Sequence, residues 1–222
     1  MFLTNLFDAR LDLLPEYPGA KVFWLFHDNY LAAKLLETPR PDLARRVRTA
    51  IARHGVTNSG KIEILFNEAA RPLPFRAYLL TNLVTIGEKT IRTEIVTDRV
   101  IRDWEKYADL LLLATVAESA SHPAEARRLF ERADALWDGR GLADVVVEKG
   151  KRYATYKLAL HLIAARRLQL DPPHAALIRA RLLALQNPEG GWITDYDSSL
   201  RPVGMANVET TCLAMLALRG DK

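Results

Sequence analysis

Apolar and polar residues alternate along this chain on the scale of whole helices. Four apolar, weakly charged segments each open with a short polar and aromatic cluster, at 27–30, 103–109, 153–157 and 207–210. The segments between them carry many arginines instead. A buried helix followed by a basic, amphipathic one, repeated, predicts helical hairpins arranged in an inner and an outer layer. Polar helix starts that converge at one end of such an array can form a site.

Start and stop signals divide the chain into about seven predicted helices. Proline, glycine and capping residues set their approximate bounds, which are 26–37, 42–54, 101–119, 123–137, 153–170, 172–186 and 205–218. The periodicity changes between the second and third helices. Residues 61–66 and 90–95 alternate, and residues 75–86 form a longer mixed run before a turn at 87–89. This pattern predicts a small antiparallel β insert over 61–97, which serves either as a packing flap or as the wall of a site.

Composition limits the class of protein. At 222 residues with 49% hydrophobic content, the chain is expected to form one domain, 1–222, and no apolar run approaches the length of a membrane span. The first twelve residues show no secretory signal pattern, so we expect a cytoplasmic protein. The single cysteine, Cys212, excludes an internal disulfide and a cysteine-based zinc cluster, and a buried, inert thiol is the expected state.

The net charge of +4 does not point to a nucleic-acid partner. Arginines lie on several outer helices with acidic residues among them, and no stripe of basic residues is interleaved with exposed aromatics. A solvated outer face accounts for this distribution, so we expect neither a nucleic-acid nor a membrane partner. Because seven helices leave an inner helix flank uncovered, we expect the chain to self-associate, with a homodimer through the edges of the β insert.

The sharpest motif lies near the C-terminus. Residues 186–192 read Gln-Asn-Pro-Glu-Gly-Gly-Trp and match Q-x-x-x-G-x-W. A glutamine amide pairs backbone groups left open at a helix end, glycines permit a tight reversal, and a tryptophan buries its ring. We therefore predict that Trp192 is buried against the preceding outer helix and that Gln186 is hydrogen-bonded to backbone.

This motif resembles the QW motif of the α/α-toroid superfamily, which includes the terpenoid cyclases and protein prenyltransferases, and the helix at 207–216 is similar to an inner helix of those proteins or of the six-hairpin glycosidases. The resemblance covers roughly two thirds of the chain as a pattern and 186–218 as a motif. It implies a mainly α fold, an α/α-toroid-like array of helical hairpins with the small antiparallel β insert. Segment 195–198 reads D-x-D-S rather than the D-x-D-D of squalene-type cyclases, which favours the glycosidases.

In six-hairpin glycosidases the pocket lies near the starts of inner helices, where aromatics stack sugars and two carboxyl groups move protons. The resemblance therefore implies acid/base cleavage of a glycosidic bond of an oligosaccharide ligand. The candidate catalytic residues are Asp28, Asp197 and Glu209. The candidate substrate-binding residues are Trp24, His27, Asn29, Tyr30, Tyr153, Tyr156, Trp192, Tyr196 and Asn207. We expect His27, Asp28, Tyr156, Asp197 and Glu209 to line one pocket.

Each candidate also has a structural interpretation. Asp28 and Glu209 suit the first turns of helices, Asp197 suits a turn, and the two tyrosines at 153 and 156 suit a core edge. The histidines lack the spacing of local metal-binding motifs, so no metal and no cofactor is expected. Two other functions remain open: a non-catalytic scaffold that binds a ligand or partner in its concave face, and a terpenoid-cyclase-like enzyme.

Overall fold

The computed structural model describes residues 2–56, 61–68, 75–150 and 152–219, with the backbone alone at 148–150. Its α-helices are α1 (Phe2–Leu6), α2 (Leu31–Leu36), α3 (Pro41–Arg53), α4 (Ala108–Glu118), α5 (Pro123–Asp134), α6 (Val145–Gly150), α7 (Thr155–Arg167), α8 (Ala175–Ala184) and α9 (Val208–Leu218). A π-helix, Leu25–Tyr30, precedes α2, and 3₁₀ helices cover Ile62–Phe66 and Trp104–Lys106. The strands are β1 (Val22–Trp24), β2 (Arg76–Ile86), β3 (Lys89–Val100), β4 (Arg152–Ala154), β5 (Ile193–Asp197) and β6 (Pro202–Ala206).

The fold is mixed α/β, and the predicted mainly α, toroid-like array with a small insert is wrong. About 48% of the residues are helical and 22% lie in strands, which form two three-stranded sheets. The strands of the second sheet, β4, β5 and β6, are three to five residues long. Strands this short, bounded by turn residues, leave too little alternation for a pattern to reveal them.

The first sheet has the order β1-β3-β2. β2 and β3 form an antiparallel hairpin that turns at Gly87, where φ is +61°, while β1 joins β3 in parallel with Trp24 opposite Arg92. The predicted alternating strand at 61–66 is instead the 3₁₀ helix Ile62–Phe66. Ile62, Ile64 and Leu65 of this short helix are all buried, because it packs against α4.

The helices show the predicted alternation of burial. α4, α7 and α9 are buried on nearly all sides, whereas α3 and α5 bury one apolar stripe and expose their arginines. α4 packs on α5 and α7, α7 packs on α8 and α9, and α9 packs on α2. Within the described part of the chain, no helix is both long and apolar enough to cross a membrane.

The turn between α8 and β5 confirms the structural role predicted for the tryptophan motif. Trp192 is 5% exposed, and its Nε1–H donates to the carbonyl of Leu182 on α8 at 2.8 Å. Gln186 donates its amide to the carbonyl of Gly190 at 3.2 Å. A Cβ added at Gly191 would lie 2.7 Å from the Phe2 ring, so this close approach requires glycine.

Cys212 is buried in α9, as expected. Burial, together with the nearby carboxyl groups of Asp28 and Glu209, raises the pKa of its thiol well above the ordinary value. A thiol held protonated is a poor nucleophile, so Cys212 is a packing residue.

Candidate functional site

A narrow crevice opens where the polar starts of α4, α7 and α9 meet the 3₁₀ helix Ile62–Phe66. Its cavity volume is about 10 Å³, roughly the room that one water molecule needs. Four polar side chains and five apolar ones line it; they are Lys61, Asp109, Tyr156 and Glu209, with Ile62, Leu65, Leu113, Leu160 and Leu213. The crevice therefore joins three helix starts that are far apart in the sequence.

Two carboxyl groups reach the crevice from first turns of helices. Asp109 is the second residue of α4 and Glu209 the second residue of α9. The positive end of the helix dipole favours carboxylates at such positions. The Tyr156 hydroxyl donates to Asp109 Oδ2 at 3.3 Å, and Lys61 Nζ lies 3.8 Å from the same oxygen. Burial, then the charges of Asp109 and Glu209, raises the pKa of Tyr156, which keeps its phenol a hydrogen-bond donor.

Asp28 lies directly behind Glu209. Its side chain is in the π-helix, is 1% exposed, and accepts the backbone N–H of Glu209. Among the described residues its Oδ2 has no hydrogen-bond partner. Burial, and then the charges of Glu209, Glu16 and Glu94, raise its pKa well above the ordinary value. The buried Asp28 carboxyl therefore favours its protonated form.

A second buried carboxyl group adjoins Asp28. Glu94 on β3 is 2% exposed, and its Oε1 lies 2.6 Å from His27 Nε2. Burial raises the pKa of Glu94, with a smaller rise from Glu209, although the His27 imidazole opposes this. We call Asp28, Glu94 and Glu209 the acidic cluster. Glu209 is its member on the crevice wall, while the other two lie behind that wall.

The structure brings four of the five residues expected in one pocket to this region. Tyr156 and Glu209 line the crevice, and His27 and Asp28 belong to the polar layer behind it. It does not bring Asp197 there. Asp197 ends β5 in the hairpin turn, accepts the N–H groups of Ser199 and Arg201, and pairs with the Arg201 side chain at 2.8 Å. These contacts are those of a turn residue.

Tyr153 and Tyr196 also lie away from the crevice. Their rings stack across the β4–β5 pair with centroids 5.3 Å apart. The Tyr153 hydroxyl donates to Asp138, and the Tyr196 hydroxyl donates to the carbonyl of Arg140 at 3.0 Å. A Cβ at Gly141 would lie 2.3 Å from the Tyr196 oxygen, so the tyrosine pair packs on this glycine. Both tyrosines act in the core.

The remaining candidates have structural partners. Asn29 is fully buried and bonds the backbone of Leu14 and Trp24 through three hydrogen bonds. Asn207 caps α9 by accepting the N–H of Thr210 at 2.9 Å. Tyr30 donates to Glu68. Trp24 lies under the Arg92 guanidinium, 5.5 Å from the ring centroid, and Trp192 closes the α8–β5 turn.

Sequence reasoning did not select Lys61, Glu94 or Asp109 as site residues. Asp109 lay in a recognised polar helix start, which was the available signal, but Glu94 reaches the cluster only through the pairing of β3 with β1. It also missed a buried ion pair beside the site. Lys157 Nζ lies 2.6 Å from Asp144 Oδ2, and Asp144 also accepts the N–H of Ala108 at the start of α4.

Within the part of the chain that the structure describes, one set of three converging possible metal ligands is present. It lies outside the crevice, at Asp134, His161 and His174. Comparisons of the chain with protein-family models, with curated proteins and with solved structures found no match. Function is therefore inferred from the chemistry of the described residues alone.

Proposed function

We propose that the crevice is the active site of a hydrolase that cleaves a glycosidic bond, with Asp109 and Glu209 as its carboxylate pair. The observation that carries the proposal is the convergence of these two carboxyl groups, from separate helices, on one crevice. Glycoside hydrolysis needs two such groups, one to protonate the leaving oxygen and one to act as a base or nucleophile. This keeps Glu209 from the sequence prediction and replaces Asp28 and Asp197.

The lining supports carboxylate chemistry over other kinds of hydrolysis. The described lining residues include no serine, cysteine or histidine, so a hydroxyl or thiol nucleophile with an imidazole base has no residue to supply it. Tyr156 and Lys61 are donors that can hold a sugar hydroxyl or a leaving oxygen. The five apolar residues exclude water from the reacting groups.

Asp28 acts in this proposal as a positioning residue. It is buried behind the wall and accepts the backbone N–H of Glu209, which fixes the first turn of α9. Because the Asp28 carboxyl favours its protonated form, it fixes the backbone of Glu209 without placing a second full charge beside that side chain.

A non-catalytic binding site is the second candidate. The crevice is narrow and five of its nine lining residues are aliphatic, which suits a small, partly apolar ligand better than an oligosaccharide chain. In this alternative Lys61 and the two carboxyl groups orient the ligand and no bond is broken.

The test is a screen of the full chain against aryl glycosides and natural oligosaccharides. We expect turnover, and we expect Glu209→Gln and Asp109→Asn each to lower kcat/KM by roughly 100-fold or more, the range for a lost acid or base. Glu125→Gln, a change at a half-buried position on α5 away from the crevice, is the matched control and keeps the wild-type rate. Turnover unaffected by both crevice changes, or no turnover on any glycoside, rejects the proposal; ligand-induced stabilisation without turnover supports the binding alternative.

The expected cytoplasmic location and self-association remain part of this proposal. A homodimer rests on the β2–β3 hairpin, which exposes Leu79, Leu80, Ile86 and Ile95 and whose β2 has one edge unpaired among the described residues. Sedimentation at high concentration should show a species of twice the 25.0 kDa chain. Leu80→Lys should return it to the monomer.

A further inference from the structure

The second polar cluster of the molecule lies on the side of α7 that faces α5 and α8. Asp134 is the last residue of α5, His161 lies in the middle of α7, and His174 directly precedes α8. We call these three residues the histidine cluster. They are separated by 27 and 13 positions in the sequence, so only the packing of the three elements brings them together.

Both imidazoles point at the same oxygen. His161 Nε2 and His174 Nε2 each lie 2.6 Å from Asp134 Oδ1, and the two ring centroids are 5.4 Å apart. One possible ligand atom from each residue lies within 4.8 Å of the other two. We propose that the histidine cluster is a binding site for a divalent transition-metal ion of the zinc type, held by the two Nε2 atoms and the Asp134 carboxylate.

The donor set selects this class of cation. Two imidazole nitrogens and one carboxylate oxygen match the three protein ligands of open zinc sites and of other first-row divalent ions. Magnesium and calcium prefer all-oxygen sites, and softer ions prefer sulfur. Movement of the ligand atoms by a few tenths of an ångström turns the two close hydrogen-bond contacts into the wider spacing of atoms around one ion.

The surrounding side chains hold the ligands in place. The His174 ring stacks on Trp137 with centroids 5.1 Å apart and planes within 6°, and the His161 ring contacts Phe130 at 5.0 Å. His161 is fully buried in an apolar stretch of α7, and its Nδ1 has no hydrogen-bond partner among the described residues, so burial of this nitrogen costs free energy. A bound cation gives that buried imidazole a function which apolar packing does not.

The site is reachable from solvent. The side chains of Asp134 and His174 are 24% and 17% exposed, whereas that of His161 is 0% exposed. An ion can therefore enter from the side of Asp134 and keep water in its remaining positions. Bound there, it links α5, α7 and the start of α8, so metal binding stabilises the packing of these three elements.

The surroundings of His161 limit the expected affinity for the metal ion. His161 Nδ1 is buried and has no hydrogen-bond partner among the described residues, so its N–H lacks the acceptor that metal-binding histidines usually have. Loss of such a partner weakens metal binding by about 10- to 100-fold. We therefore expect a site of intermediate affinity rather than a tight structural zinc site.

The test uses the untagged full chain, titrated with Co²⁺ and Zn²⁺. We expect one ion per chain, visible Co²⁺ absorption bands, and a higher melting temperature with Zn²⁺. His174→Gln changes the partly exposed ligand and should weaken metal binding at least 10-fold. Loss of only a hydrogen-bond partner of a metal ligand already weakens binding by about that factor. Asp134→Asn should do the same while it keeps a hydrogen-bond acceptor. His54→Gln, a histidine on another helix end, is the control and should bind as wild type does.

Two results overturn the inference. One is the absence of stoichiometric Co²⁺ and Zn²⁺ binding by folded wild-type chain. The other is binding that survives unchanged in both His174→Gln and Asp134→Asn, which would place the ion elsewhere. In either case the cluster is a hydrogen-bonded packing element only.

Discussion

The acidic cluster and the histidine cluster bury carboxyl groups in opposite ways. In the acidic cluster, burial and then the like charges of Glu209, Glu16 and Glu94 together raise the pKa of Asp28. In the histidine cluster, burial again opposes ionisation of Asp134, but hydrogen bonds and charge from the two imidazoles outweigh it and lower the pKa. Burial alone therefore does not determine whether a buried aspartate is ionised. The charges and hydrogen bonds of its neighbours decide it.

The difference separates two kinds of chemistry on one helix array. A protonated, buried acid is suited to positioning a neighbouring residue without adding charge, whereas an ionised carboxylate between two imidazoles is suited to cation binding. Asp144 is a third case, because it is buried with a full positive charge at Lys157.

The largest effect is expected for the carboxylate that has a cationic partner. Asp144→Ala leaves the 4%-exposed Lys157 ammonium without its counter-charge and removes the acceptor for the N–H groups of Ala108 and Val146. Breaking a buried ion pair on one side typically lowers stability by about 3 to 5 kcal/mol. Urea denaturation measures it.

The matched variant is Asp144→Asn, which keeps an oxygen acceptor for the backbone but removes the charge. It should fall between wild type and Asp144→Ala. Equal stability of Asp144→Ala and wild type would show that Lys157 finds another partner or reaches water. The buried ion pair would then not be the stabilising contact assumed in this comparison.

Truncation of Trp192 should lower stability by a similar amount, although no charge is removed. Its buried indole fills the α8–β5 turn and donates its N–H to Leu182, with no charge involved. Trp192→Ala should lower stability by ~3 to 5 kcal/mol, as for other buried aromatic truncations. Trp192→Phe keeps most of the packing and loses the hydrogen bond, so it should lower stability by about 1 kcal/mol. A melting curve of Trp192→Ala identical to that of wild type would reject the structural role and leave Trp192 as a candidate substrate-binding residue.

Much of the helical structure could be predicted from local pattern. α5 begins at Pro123, as predicted, and α7, α8 and α9 lie inside their predicted ranges, while α3 begins one residue before its range. Proline starts, capping residues and apolar periodicity are local signals. The second sheet could not be predicted, since its strands are only three to five residues long and β4 pairs with residues of β5 more than forty positions away. The parallel β1–β3 pair joins residues nearly seventy positions apart.

The candidate site also contains residues that could be predicted from the sequence and residues that could not. The meeting of Asp28 with Glu209 was predictable, because both lie at helix starts that the alternation of inner and outer helices places at one end. Glu94 depends on a strand pairing, and the histidine cluster depends on the packing of three elements, so neither has a local signature. The turn expected as one interpretation of Asp197 is the one that joins β5 and β6 in the second sheet.

Asp28→Asn tests, through the pH dependence of stability, whether the buried Asp28 carboxyl, without a cationic partner among the described residues, has a raised pKa. The raised pKa means that the folded chain holds this proton to a higher pH than the unfolded chain does. Stability from this group is therefore complete below the ordinary aspartate pKa and falls as pH rises toward the folded value, by up to about 1.4 kcal/mol per pH unit. The amide resembles the neutral acid in shape and does not titrate, so the variant should lose that decline.

Urea denaturation at several pH values between 4 and 8 measures the difference. Glu209→Gln is the companion variant: removal of a like charge should lower the pKa of Asp28, so the decline should end at a lower pH than in wild type. A wild-type profile that matches Asp28→Asn at every pH would mean that Asp28 is ionised throughout, and the contrast with Asp134 would disappear.

The smallest effect is expected at Asp197, the candidate that the structure places outside both clusters. Its oxygens accept the N–H groups of Ser199 and Arg201 in the β5–β6 turn, and it also pairs with the exposed Arg201 side chain. Arg201 also lowers the pKa of this aspartate, through backbone and side-chain hydrogen bonds. Asn supports the same turn through its side-chain oxygen. Asp197→Asn should therefore change neither glycoside turnover nor Co²⁺ binding, and should leave the melting temperature close to that of wild type. Loss of turnover in a folded Asp197→Asn variant would bring this hairpin back into the active site and require the crevice assignment to be redrawn.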